Sequence, residues 1–185
     1  MIQHEQANHG ESPAGAVIIE GDHARLEFER VLPHTPEVVW AALTEAEQLR
    51  GWFVHDVRID AHAGGTVEMV TGPARMRWAG RILTWVPPRV LEYEWNLDPR
   101  DEAPHGEQST VRWELTPEGA GTRLRLTHRR LTRPTAGGFA PGTHAFLDRL
   151  AAFLRGDPVP EWTQRYAAVQ GQYRPHQSGQ RTPAV

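Results

Sequence analysis

The sequence predicts an α+β fold: a curved antiparallel sheet of six or seven strands, two short helices after the first strand, and a long C-terminal helix across the sheet. Three observations lead there. Segments between residues 24 and 131 alternate apolar and charged residues with a period of two, as strands do when one face is covered and the other polar. Short turn-forming stretches rich in Gly or Pro join most neighbours, so the strands form a meander. The cover comes from THAFLDRLAAFLRG, residues 143 to 156, where Phe146, Leu147, Leu150, Phe153 and Leu154 make a broad apolar stripe.

The elements follow in order. Residues 1 to 22 are polar, with Gly, Ser, Pro and His, and read as a loose tail. ARLEFERVL sets Leu26 and Phe28 opposite Glu27 and Glu29, a half-buried strand. In PHTPEVVWAALTEAEQLRGWF the period changes to helical. Thr35 is placed to cap a helix with Pro36 at its first position, and Thr44 with Glu47 has the spacing of a capping box for a second helix that ends at Gly51. Strands are then expected over 54–60, 66–70, 75–86, 90–95, 109–117 and 122–131, with a polar loop over 97–108. Pro87-Pro88 ends the fourth strand of the chain, because neither residue can donate to a ladder. Gly156 stops the long helix. A further short helix over EWTQRYAAVQGQY puts Trp162, Tyr166 and Val169 on one side, and RPHQSGQRTPAV is expected to fray. The domain is thus expected over 23–156, with a C-terminal extension over 157–185.

Composition excludes several function classes. The 185 residues suffice for one domain, which can bury roughly 70% of its unfolded surface without staples. The absence of cysteine removes disulfides, thiolate metal sites and cysteine nucleophiles. A formal net charge of −3 with no basic block argues against nucleic-acid binding. No apolar run reaches the length of a membrane span, and the N-terminus has no signal-peptide pattern, so the expected location is the cytoplasm. All twenty basic residues are arginine, which fits a GC-rich bacterial genome and carries no functional weight.

No metal-ligand spacing, nucleophile elbow or phosphate loop occurs. No cofactor, metal or catalytic residue is therefore expected. His4, His9 and His176 fall in the tails. His55, His128 and His144 read as structural histidines or as polar handles in an apolar pocket. Trp40, Trp52 and Phe53 read as packing between the short helices and the sheet.

The stretch RMRWAGRILTWVPPRVLEYEW, residues 75 to 95, places large rings on one face of the sheet. Met76, Trp78, Tyr93, Trp95 and Trp113 can fill a core or wall a pocket. One helix about 10 Å wide cannot cover six or seven strands about 4.8 Å apart, so either large side chains fill the gap or a cavity remains. Gly80 marks a bend that deepens the curve. With Met69, His128, Phe139 and Phe146, these five residues form the expected ligand-binding set. The expected partner is a small hydrophobic molecule. The oligomeric state is left open, a homodimer included.

The order of VLPHTPEVVWAALTEAEQLRGWF, GRILTWVPPRVLEYEW, STVRWELTPEGAGTRLRLTH and GTHAFLDRLAAFLRG resembles the START-like (SRPBCC) superfamily with its helix-grip fold. The closer resemblance is to homologues of the activator of the heat-shock-protein-90 ATPase. It covers roughly residues 24 to 156. It implies a pocket for an apolar ligand between the sheet and the long helix. The subgroup often carries Gly-Gly-Trp before that helix, where this chain has Gly137-Gly138-Phe139 and a longer APGTH insertion. Three functions follow as expectations: non-catalytic binding of an apolar or aromatic ligand, a cyclase- or aromatase-like enzyme in the same cavity, and a chaperone-cofactor-like interaction protein. The first leads, because no nucleophile–base pair is fixed by sequence.

Overall fold

The structure, a computed structural model, describes residues 12–99 and 105–173. The expected tail over 1–11, the centre of the 97–108 loop and the end 174–185 lie outside the described residues, as do His4, His9 and His176.

The first element corrects the sequence reading. Ala16–Glu20 form a strand, β1, that pairs with β2 (His23–Leu32) through a two-residue turn at Gly21-Asp22. Gly21 takes a left-handed φ of 60°, as such tight hairpin turns require. The β-branched run Val17-Ile18-Ile19 before that Gly is the strand signal that the surrounding polar residues obscured.

Two short helices follow, α1 (Pro36–Thr44) and α2 (Ala46–Trp52). Thr35 is the extended N-cap residue of α1 with Pro36 at N1, as expected. The capping box does not form. Glu45 occupies the N-cap of α2, and the Thr44 hydroxyl donates back to the Trp40 carbonyl at 2.8 Å. A threonine at a helix end can bond its own preceding turn instead of the next helix, and here that turn exists first. Trp52 closes the pair by donating its indole N–H to the Ala42 carbonyl at 2.9 Å.

The remaining strands are β3 (Val54–Ile59), β4 (Thr66–Thr71), β5 (Met76–Val86), β6 (Val90–Leu97), β7 (Glu107–Glu118) and β8 (Gly121–Thr132). All eight strands form one open antiparallel sheet in the order β1-β2-β8-β7-β6-β5-β4-β3, one strand more than the sequence predicts. Bulges bend it. Between Ala24 and Leu26 the register to β8 slips, and Arg130 takes a φ of 63° there, so that Leu131 faces inward in its place. A second slip lies between Ile82 and Thr84. At Gly80, a Cβ would stand 2.2 Å from the Glu94 carbonyl oxygen, so this close strand approach needs glycine.

The alternation settles which face is which. Trp78, Tyr93 and Trp113 are buried, while Arg77, Glu92 and Arg112 lie on the outer face. There Arg112 pairs with Glu92 at 2.8 Å and Glu114 at 3.2 Å.

The covering helix, α3, is the longest, but it runs over Arg133–Arg155 and not from residue 143. The Gly137-Gly138-Phe139 segment and the APGTH stretch lie inside it. Pro134 sits in the first turn, where no N–H is needed, and Pro141 removes one internal bond whose carbonyl partner would belong to exposed Gly137. Ala136, Ala140 and Pro141 are buried, so packing on the sheet outweighs that loss. Gly156, with a φ of 72°, caps the helix as expected. The short helix α4 (Trp162–Val169) then folds back, followed by a turn of 3₁₀-helix at Gln170–Tyr173.

A polar cluster ties Ser12 and Tyr173, at the two ends of the described residues, to α3. The Ser12 hydroxyl stands 2.6 Å from both His144 Nε2 and Asp148 Oδ1, and Tyr173 OH stands 2.8 Å from His144 Nδ1. Arg165 donates to Asp148 at 2.5 Å. Arg30, on the inner face of β2, reaches to 3.9 Å from the same carboxylate.

Candidate functional site

The site grows from the pairing of three strands. Tyr93, Val111 and His128 are register partners in one row across β6, β7 and β8. All three are buried and point to the inner face, toward α3. The next rows carry Trp113 beside Leu126, and Trp95 beside Ser109. From β5, Trp78 stacks on Trp95 with ring centres 4.7 Å apart and planes 21° apart. The sequence put these rings here because a β-strand throws every second side chain to one face.

The rings do not fill the space. A cavity of about 510 Å³ remains between the sheet and α3. Its floor is Trp78, Tyr93, Trp95, Val111, Trp113, Leu126 and His128 from the sheet. Its roof is Phe139, Phe146 and Leu147 from α3, with Trp52 and Phe53 from the end of α2. The β4–β5 turn at Gly72, Pro73 and Ala74 forms one side. Helix α4 contributes Trp162, Thr163 and Tyr166. The exposed lining residues Pro73, Ala74, Gly138 and Thr163 mark the mouth.

Eight of the nine residues expected from sequence reach this wall: Met76, Trp78, Tyr93, Trp95, Trp113, His128, Phe139 and Phe146. Met69 does not. It is buried between Val57 and Trp78 in its strand row, and the cavity reaches β4 only at Thr71. Trp52 and Phe53, read from sequence as packing, do pack, with ring centres 4.9 Å apart, and they also face the cavity. The sequence shows the aromatic face of α4, with Trp162 and Tyr166 at i and i+4, but not that this face closes the cavity.

Most polar atoms in the wall are satisfied by neighbours. Trp78 Nε1 donates to Thr71 Oγ1 at 2.9 Å. Trp113 Nε1 donates to Tyr93 OH at 3.1 Å, and the buried Tyr93 phenol is pushed well above its ordinary range by desolvation, so it stays neutral. His128 Nε2 stands 2.8 Å from Ser109 Oγ, which donates to the Trp95 carbonyl at 2.8 Å. Burial pushes the His128 pKa down to about 3, so this ring too is neutral. Among the described residues, no Asp, Glu, Lys or Arg lines the cavity. A few neutral polar groups in an aromatic shell are suited to orienting a ligand.

The other two histidines lie elsewhere. His144 belongs to the buried cluster with Ser12, Asp148 and Tyr173. His55 is exposed and bonds the Gly72 carbonyl at 2.9 Å, which ties down one side of the mouth.

Comparison with known proteins agrees with this architecture. Residues 33–155 match the family described as Activator of Hsp90 ATPase homolog 1-like protein. No curated protein matches the chain. Among solved structures, CalU16 from Micromonospora echinospora is 25% identical, covers 86% of this chain and 92% of its own, and superposes with a TM-score of 0.66. Protein MLL2253 from Mesorhizobium loti is 27% identical over 71% of this chain and 97% of its own, with a TM-score of 0.65. The protein encoded by BPP1335 of Bordetella parapertussis is 29% identical over 94% and 93%, with a TM-score of 0.64.

Proposed function

This chain belongs to the Activator of Hsp90 ATPase homolog 1-like family, with the helix-grip fold, and on that premise we propose that it binds a small apolar or aromatic molecule in the cavity under α3. The observation that carries the reading is the space of about 510 Å³ left inside a shell of ten Phe, Tyr and Trp side chains among the described residues. A sheet and helix selected only for stability would close such a void, because each unfilled volume costs dispersion contacts and transfer energy. The size and the apolar wall with few polar groups are those of small-molecule sites.

Among the described residues, the acid–base groups of the wall are His128, which burial makes a weak base, and Tyr93, which burial makes a weak acid, so binding without turnover is favoured over a cyclase-like reaction. Among the described residues, no helix is long and apolar enough to cross a membrane. A cysteine-free chain suits a reducing compartment, and the cytoplasm is the location that goes with this reading.

The test is a search for cargo. The protein is purified without detergent and its mass is measured under native conditions, with organic extracts analysed in parallel. A discrete bound mass that is released by denaturation supports the reading. An empty protein that also fails to bind a panel of neutral aromatic compounds contradicts it.

A further inference from the structure

The chemistry of His128 and Tyr93, two buried neutral polar residues of the wall, narrows the ligand. Ser109 fixes the tautomer of His128. Its single hydroxyl proton goes to the Trp95 carbonyl, which can only accept. Toward His128 the same oxygen must therefore accept, so His128 Nε2 carries the ring proton. A neutral imidazole with a protonated Nε2 has a bare Nδ1, an acceptor.

Among the described residues, that Nδ1 has no hydrogen-bond partner. His128 is 4% exposed and lines the cavity. Among the described residues, the sealed side-chain atoms without a partner are Arg30 Nε, Arg30 Nη2 and Trp162 Nε1. His128 Nδ1 is not one of them, so the surface it keeps is cavity surface.

Tyr93 is the complement. Its oxygen accepts from Trp113 Nε1, and its own O–H proton has no acceptor among the described residues. Tyr93 is 3% exposed and lines the cavity. The two groups sit in one strand row with Val111 between them, two strand spacings or roughly 10 Å apart at their Cα atoms.

We infer that the cavity selects a neutral, ring-bearing molecule with a hydrogen-bond donor, a hydroxyl or N–H, for His128 and an acceptor, a carbonyl or ether oxygen, for Tyr93. This rests on the proposed binding function and adds to it which ligands are taken and which refused. An apolar molecule lacking both groups leaves two buried polar groups unmatched. A carboxylate or amine would enter with no counter-charge in the wall, at a desolvation cost that nothing repays.

The test uses one scaffold in four forms. 4-Hydroxybenzophenone has both groups, 4-methoxybenzophenone lacks the donor, 4-benzylphenol lacks the carbonyl, and 4-benzoylbenzoate is charged. Quenching of tryptophan fluorescence, at mildly acidic pH where the phenols are neutral, gives each affinity. The parent protein is expected to bind 4-hydroxybenzophenone about tenfold tighter than the methoxy or benzyl form, and about a hundredfold tighter than the charged form. In His128→Leu the advantage over the methoxy form falls to about twofold or less. In Tyr93→Phe the advantage over 4-benzylphenol falls likewise, and this variant decides the matter if circular dichroism shows His128→Leu unfolded. Equal affinity for the four forms, or the tightest binding by 4-benzoylbenzoate, overturns the inference and leaves the binding cavity standing. No binding by any form overturns the cavity reading, and this inference with it.

Discussion

Trp113 Nε1 donates to Tyr93 OH over 3.1 Å, from one strand to the next along the cavity floor. The two residues are diagonal neighbours, since Tyr93 pairs with Val111 and Trp113 with Leu91. The bond ties the two side chains together, and both line the cavity. That geometry distinguishes a wall from a core.

It predicts the cost of removing the rings. A fully packed tryptophan truncated to alanine costs about 3–5 kcal/mol, because neighbours relax only partly into the void. A ring that already borders a cavity has fewer contacts to lose. Trp113→Ala and Trp78→Ala are each expected to cost about 2 kcal/mol in urea unfolding, with m unchanged. Losses at the upper end of the core range for both would mean that the rings fill space.

Much of this was legible beforehand. Strict alternation at Trp78, Tyr93 and Trp113 fixed both the register and the covered face, because a slip of one residue would have put Arg77, Glu92 and Arg112 inside. Local patterns misled where tertiary packing overruled them. The sequence pattern places Pro141 and the Gly137-Gly138 pair before the long helix, yet burial of Ala136, Ala140 and Pro141 carries the helix through them. Met69 alternates onto the inner face as expected, but where the cavity ends along β4 depends on the curvature of the whole sheet, which no short pattern encodes. The α4 side of the wall depends on how the chain folds back after Gly156, a long-range packing choice.

The neutral state of His128 predicts a pH dependence. Its folded pKa of about 3 lies below the ordinary 6.5, so the unfolded chain binds a proton more readily than the folded one between those values. Stability from this group is therefore complete above about pH 6.5 and is lost as the pH falls toward 3. Between pH 7 and pH 5 the parent should lose about 2 kcal/mol more than His128→Leu, read from urea midpoints at each pH. Parallel losses in the two proteins would show that His128 is readily protonated in the folded state.

Asp148 is expected to matter far from the cavity. Its carboxylate meets Arg165, Ser12 and His144, and it is the nearest counter-charge to Arg30, which is 8% exposed. Burial already pulls the Arg30 pKa down, and the Asp148 charge opposes that pull. Asp148→Asn leaves a buried cation without its partner and should cost about 3 kcal/mol. Replacing both, as Arg30→Met with Asp148→Asn, should recover more than half of that loss. A double variant as unstable as the sum of its parts would show that the two charges do not act together.

The most direct test of the cavity is to plug it. Gly138 lies at the mouth on α3, with a φ outside the left-handed region, and a Cβ there would meet nothing within 4 Å. Gly138→Trp can therefore enter the space without strain, and replacing a helical glycine by tryptophan favours folding by a few tenths of a kcal/mol. The measurement is a titration of parent and variant with the neutral dye N-phenyl-1-naphthylamine, alongside their urea midpoints. The expected result is saturable binding of one dye per parent chain, at least about tenfold weaker binding to Gly138→Trp, and an unchanged or higher midpoint. Undiminished dye binding by the folded variant, or no saturable binding by the parent, would contradict the account.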